Sequence, residues 1–420
     1  MQKTSSHQLV DHLFRHEAGR MTAVLTRIFG TENLCLVEDV VQDAFVKAVQ
    51  TWGYKGVPEN PAGWLMTVAR NKALDIVRRN HNFKHISREL ASQLEQVTEQ
   101  RIEHLFLDHE IADSQLRMIF ACCHPALNEE DQIAMTLKIV SGFSVSEIAK
   151  ALVMQEAAVQ KRLYRARKAL EENKIPLEIP SGPALTSRLD MVLLVIYLLF
   201  NEGYNSQKSD ELIRKDLCVE AMRLCFLLPE HPAGKQPVVY ALLSLMCFQA
   251  SRFESRMQNG DTIILLEHQD RTRWDQDLIG KGYQFLNHSS QGSQLTVYHI
   301  ESAIAAEHAL ASTFETTNWV RMLKLYDLLA IHKPTSIVLL NRAVVKAQLE
   351  LYGQGLEDIW GIKHIEGLLA SQYIYSAVLG DIYLRAGEKI HARKYLTQAM
   401  EMTTSVAEKK LILQKIESCQ

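Results

Sequence analysis

Charge of one sign is what this 420-residue chain lacks: 46 lysines and arginines stand against 49 aspartates and glutamates, a formal net charge of −3. Nothing global therefore announces nucleic acid, and any such contact must come from placed, local charge. Cysteine offers no framework either. The seven residues are odd in number and scattered, apart from the adjacent Cys122 and Cys123. That usage fits reduced thiols in a cytoplasmic protein. Long apolar runs are missing. The longest, Met191–Phe200, covers about half a bilayer span and reads as a buried helix. The opening residues, MQKTSSHQLV, are too polar for a signal peptide, so no membrane is expected as a partner. The glycines are spread singly, with no phosphate-cradling loop, and no nucleophile–base pair stands out. No catalytic residue and no cofactor are expected, and the chain does not read as an enzyme.

What is present is helix. Hydrophobic residues make up 47% and charged residues 23%, enough for a sizeable core and two or three domains. Apolar residues recur at spacings of three and four, so the fold class is all-α. The best strand candidate, Thr262 to Leu266, is short. Proline is scarce, yet three of the ten residues crowd into KIPLEIPSGP (174–183), where a domain boundary is expected. The pattern divides into a helical unit at 8–80, a polar linker at 81–112, a second helical unit at 113–172, a helical extension at 185–330 and helical hairpins at 331–416. In the last, Leu379, Gly380, Tyr383, Ala392, Leu396 and Ala399 have the spacing of a tetratricopeptide helix pair. A partial earlier copy has Ala343, Gly355 and Ile359 in the matching places.

Two segments concentrate positive charge. Five of the eight residues from Lys161 to Lys168 are basic, and Arg70 to Arg88 holds six basic residues against Asp75 alone. Taken singly, each reads most simply as a solvated helix face. Around the first lies a more specific pattern. Ser144 precedes Glu147 by three, a capping box. Ile148, Ala149 and Leu152 make one apolar face, and Val153-Met154-Gln155 separates two helices. Val159, Leu163, Ala166 and Leu170 then form a buried stripe, with Gln160, Lys161, Arg165 and Lys168 on the other side. This is a helix-turn-helix, although Val153 stands where glycine is usual.

GFSVSEIAKAL followed by VQKRLYRARKAL resembles region 4 of bacterial sigma-70 family factors, in particular the extracytoplasmic-function (ECF) group. The resemblance implies recognition of the promoter −35 element, with Glu156, Ala157, Gln160, Lys161, Arg165 and Lys168 at base edges and phosphates. EDVVQDAFVKAVQTW (38–52) has Val41, Ala44, Phe45 and Ala48 on one face and Glu38, Asp39, Gln42 and Asp43 largely exposed. It resembles region 2.2, which implies docking of those four residues on the clamp coiled coil of core RNA polymerase. The family also implies a contact with the polymerase flap. PENPAGWLMTVARNKALDIVRRN (58–80) resembles regions 2.3 and 2.4. That implies a −10 element held by Asn71, Lys72, Asp75, Arg78 and Arg79, with a base-capturing loop at 53–60. Trp64 reads as a core anchor more than a stacking platform.

An ordinary ECF factor would stop near Asn173. SRLDMVLLVIYLLFNEGY, LEHQDRTRWDQDLIGKG and YHIESAIAAEHA resemble the long helical extension of one ECF subgroup, which implies control of the factor in place of a membrane anti-sigma protein. The extension is open as a receptor for a small ligand or protein. Its Gln269–Trp274 cluster is either an ion-paired knot, with Asp270 bridging Arg273 and Trp274 packing, or a pocket. Neither His299, Glu301 and His308 nor Cys122, Cys123 and His124 has the spacing of a known metal motif, so no metal site is expected. A stand-alone DNA-binding regulator is the rival reading, but it has no need of residues 38–80.

Overall fold

A computed structural model describes residues 6–82, 100–152, 154–204, 215–258, 262–403 and 406–419. Among the described residues the regular structure is helical, apart from a ribbon of two two-residue strands, Met257–Gln258 and Thr262–Ile263, paired antiparallel. The expected strand at Thr262–Leu266 is therefore present in its first two residues only. Two compact units share the chain: Met1–Gly203 with Val219–Lys235, and Tyr204–Cys218 with Gln236–Gln420. The proline stretch at 174–183, read as a boundary, lies inside the first unit.

In the first unit, α1 (Ser6–Phe29), α2 (Leu34–Lys55) and α3 (Pro61–Asn82) enclose one core. Met21, Leu25, Val41, Ala44, Phe45, Ala48, Trp52, Leu65 and Ala69 meet there. α2 stops at Gly56, whose φ of 79° only glycine adopts cheaply. α3 starts where Asn60 accepts a hydrogen bond from Gly63 N at 2.9 Å. A helical run at 100–105 (α4) leads into α5 (Asp108–Cys122), which packs on α1. There Arg27 reaches Glu110 at 2.6 Å and Asp113 at 3.2 Å.

α6 (Glu129–Met135), a π-helical turn at Thr136–Val140, α7 (Val145–Ala151) and α8 (Glu156–Glu172) complete the helix-turn-helix body. The turn comes so near α1 that a Cβ on Gly19 would sit 1.9 Å from the Val140 carbonyl oxygen. Thr31 Oγ1 also donates to the Ile175 carbonyl at 2.6 Å. The bodies at 6–82 and 108–175 therefore pack directly on each other.

α9 (Pro183–Tyr204) is 22 residues long, more than the apolar run alone suggested, and is long and apolar enough to cross a membrane by length and composition. One face is core all the same: Val192, Leu193, Val195, Ile196, Leu199 and Phe200 are buried. Arg188, near its start, donates to the Phe120 carbonyl. α10 (Lys215–Leu227) contributes its residues from Val219 on to this unit.

In the second unit, α11 (Pro237–Ala250) is buried along almost its whole length, with α13 (Gln276–Ser289) and α14 (Val297–Leu310) against it; α12 (Phe253–Arg256) is a single turn. Ser244 donates to the Gly282 carbonyl and accepts from Ser302, both at 2.7 Å, so the buried hydroxyls are satisfied. Helical hairpins follow: α15 (Trp319–His332), α16 (Ser336–Gln348), α17 (Tyr352–Trp360), α18 (Ile365–Ser371), α19 (Tyr373–Arg385), α20 (Lys389–Met402) and α21 (Val406–Glu417). The small residues picked out in the sequence sit at the closest approaches. A Cβ on Gly380 would meet Leu396 Cγ at 2.8 Å, and one on Gly355 would meet the Ala343 carbonyl at 3.1 Å.

Candidate nucleic-acid interface

The helix-turn-helix is built locally as its sequence dictates. Ser144 Oγ accepts from Glu147 N, and the Glu147 carboxylate accepts from Ser144 N at 2.8 Å, closing the capping box. Ile148 and Ala149 are buried and Leu152 half-buried; Val153 lies outside the described residues. In α8, Val159, Leu163, Ala166 and Leu170 are all buried, the expected stripe. Burying each larger member removes about 1.5–3 kcal/mol worth of apolar surface from water. Opposite them Glu156, Ala157, Gln160, Lys161 and Lys168 are exposed.

The arginines of α8 are each ion-paired within the chain. Arg165, read as a DNA contact, makes a two-pronged bond to Asp131 of α6, at 2.9 and 3.3 Å. The Asp131 side chain is buried, so this guanidinium is the partner that a desolvated carboxylate requires. Hydrogen bonding to Asp131, then its charge, hold the Arg165 pKa above its ordinary value. Arg162 pairs with Glu130 at 2.6 Å. Arg167 reaches across to Glu38 of α2, with its Nη2 2.7 and 2.8 Å from the two oxygens. Lys168 lies 3.6 Å from Glu172, both well exposed.

On α2 the expected buried face is present: Val41, Ala44, Phe45 and Ala48 are core. Asp39, Gln42 and Asp43 are exposed. Glu38 is not: its side chain is 21% exposed and held by Arg167. Lys138 stands by the same pair; burial pushes its pKa down, with Glu38 opposing and Arg167 adding to the shift. On α3, Asn71, Lys72, Asp75, Arg78 and Arg79 are exposed. Lys72 meets Asp43 at 3.0 Å, and Arg78 lies 3.9 Å from Asp75. Trp64 packs edge-on to Trp52, with ring centres 5.4 Å apart, against the core. The connecting loop is shorter than expected, because α2 continues to Lys55 and leaves 56–60 as loop.

Sequence reasoning missed a feature beside that loop. A cavity of about 310 Å³ is lined by Arg20, Asn60, Gly63, Met66, Thr67, Arg70 and neighbours. The buried Nε of Arg70 has no hydrogen-bond partner there. The basic count around Arg70 was visible, but the cavity depends on α1 and Phe106, which come from other segments.

The other candidates are occupied by structural work. His299 completes a capping box with Thr296 and bonds the Ser289 carbonyl at 3.2 Å; Glu301 holds Lys333 at 3.1 Å. Burial, with Arg252 and Arg271 nearby, drops the His308 pKa to about 3. Cys122 and Cys123 are buried, and desolvation raises both thiols, Cys123 to about 12. Asp270 does not bridge Arg273 but accepts from Thr272 N at 3.0 Å and from its hydroxyl. Trp274 does pack, with the guanidinium groups of Arg252 and Arg271 at 5.3 and 5.0 Å from its ring centre.

Comparison with known proteins agrees with this geometry. A family described as Sigma-70 region 2 matches residues 13–83, one described as Sigma-70, region 4 matches residues 117–170, and a family of unknown function (DUF6596) matches residues 188–290. The region 2 match spans α1 to α3 and the region 4 match ends on α8, so these two bodies are those of an RNA polymerase sigma factor. The chain belongs to the ECF group of the sigma-70 family.

Among its relatives, an uncharacterized protein, R00370, of Rhizobium meliloti is 34% identical over 92% of this chain and 90% of its own. ECF RNA polymerase sigma factor SigL of Mycobacterium tuberculosis is 31% identical over 33% of this chain and 75% of its own. ECF RNA polymerase sigma-E factor of Escherichia coli is 28% identical over 34% and 75%. The Rhizobium protein thus shares the extension, whereas the two sigma factors match about a third of the chain. No solved structure matches.

Proposed function

We propose that the chain is a promoter-specificity subunit whose N-terminal unit docks on core RNA polymerase through α2, holds the −10 element through α3 and its loop, and reads the −35 element with α8. The second unit governs that activity. The carrying observation is the geometry of α8. Its N-terminal half leaves Glu156, Ala157, Gln160 and Lys161 exposed, opposite a fully buried stripe, and the helix before it, α7, starts at a capping box. The early residues of a recognition helix are the ones that reach base edges in the major groove. Asp39, Gln42 and Asp43 form the open docking face, and Lys72, Arg78 and Arg79 give the basic track that single-stranded DNA requires. The cavity at Arg70 supports a pocket for an unstacked base next to that track.

Run-off transcription with core polymerase and a library of upstream fragments tests the reading. A specific transcript that depends on the protein is expected. Its absence, combined with tight sequence-specific duplex binding by the isolated protein, would favour the stand-alone regulator. A shortened form for the same assay ends after Lys235. Ending at Asn173 would strip α9 from the core that it completes. Comparison of the two forms gives the sign of control by the second unit.

A further inference from the structure

The corner between α4 and α5 carries a cluster that no sigma-factor role absorbs. His104 lies in the last turn of the helical run at 100–105, and His109 and Glu110 lie in the first turn of α5. Their ligand-capable atoms all lie within 4.8 Å of one another. His104 Nδ1 is 3.7 Å from Glu110 Oε1, and His109 Nε2 is 3.8 Å from the same oxygen. The two rings meet edge to face, 5.9 Å apart.

We propose that this corner is a divalent transition-metal site of the zinc class, with His104 Nδ1, His109 Nε2 and Glu110 Oε1 as its protein ligands. Two imidazoles and a carboxylate are a donor set that suits Zn²⁺ and leaves a further position for water or another ligand. The carboxylate is already oriented for the task. Its Oε2 is held by Arg27 at 2.6 Å, which turns Oε1 toward the histidines. Such an outer partner fixes a ligating side chain and tunes the ion. The imidazoles are 59% and 70% exposed, so small ring rotations bring their nitrogens from the present spacing to metal–ligand distances of about 2.0–2.2 Å.

Access is open as well. His109 and Asp108 line a groove of about 540 Å³, whose other walls include Glu17, Glu230, Arg20 and Arg223. Bound metal would tie α4 to α5 and, through Glu110 and Arg27, to α1. The segment joining the two DNA-reading bodies would then respond to the metal. The sequence spacing conceals this site: four residues separate the histidines, and only the break between the helices brings them together.

The test is titration of chelator-stripped, tag-free full-length protein with Co²⁺ and Zn²⁺. One ion per chain is expected, with a Co²⁺ visible spectrum of nitrogen and oxygen ligation and no thiolate charge-transfer band. His104→Ala and His109→Ala should each weaken binding at least tenfold. Both side chains are exposed, so the variants should fold as the parent does. Zn²⁺ should raise the thermal midpoint of the parent and not of the variants. Unaltered affinity in both variants would overturn the assignment, as would a thiolate band or the absence of stoichiometric binding.

Discussion

Helices α2 and α8 are amphipathic partners of opposite charge, and they treat that charge in opposite ways. α2 leaves Asp39, Gln42 and Asp43 exposed, with Asp43 meeting the likewise exposed Lys72 at 3.0 Å. α8 ties down each of its three arginines, to Glu130, to the buried Asp131 and to Glu38. A charge run in a sequence is thus two kinds of thing. On α2 it is an exposed face, the one proposed to dock on polymerase. On α8 its arginines fasten the helix to α6 and α2, while the N-terminal half and Lys161 stay exposed, as the proposed DNA contact requires. The Glu38–Arg167 pair is where the two schemes meet, and in it α2 and α8 hold each other.

Disrupting the stripe that holds α8 should have the largest effect. Leu163→Ala removes a fully packed side chain and is expected to cost about 2–5 kcal/mol, read as a lower denaturation midpoint together with lost promoter binding. If stability is unchanged, α8 is not seated as described. Asp43→Arg comes next. Its pair with Lys72 is exposed on both sides, worth about 0–1 kcal/mol, so the fold should persist. Co-purification with core polymerase should fall about tenfold, and an unaltered yield would remove α2 from the docking surface.

Arg167→Ala probes the meeting point. Freeing Glu38 from a partly exposed pair worth about 0.2–1 kcal/mol should raise polymerase affinity by up to about fivefold. A drop in affinity would mean that the closed packing aids docking. The smallest change separates the two halves of α8. Lys161→Ala should weaken promoter binding a few-fold and reduce the salt dependence by about 0.9 in the log–log slope, the signature of one phosphate contact. Arg165→Ala should instead lower stability, because Asp131 loses its partner, with the slope little changed. Equal slope changes for the two would erase the distinction between reading and fastening residues.

Local features were legible from residues alone. The Ser144–Glu147 capping box, the four-residue stripe of α8, the core face of α2 and the close approaches at Gly355 and Gly380 all obey helical spacing and steric size. What the sequence concealed has one cause. Glu38 falls on a polar helix face, which periodicity assigns to solvent, yet its side chain is 21% exposed and held by Arg167; Arg165 is exposed as expected, but its bond to Asp131 is not legible in the spacing. The cavity at Arg70 and the His104–His109–Glu110 corner were invisible because each needs segments that no period connects.

The sequence by itself determined the helices, their caps and their buried faces, because a 3.6-residue repeat and a capping side chain act within a few residues of their own position. Only the tertiary structure decided which charges stay free. Asp131 stands 34 residues from Arg165, and Glu38 stands 129 residues from Arg167. An ion pair depends on distance in space and on the water excluded around it, and neither is written in the spacing of residues along the chain.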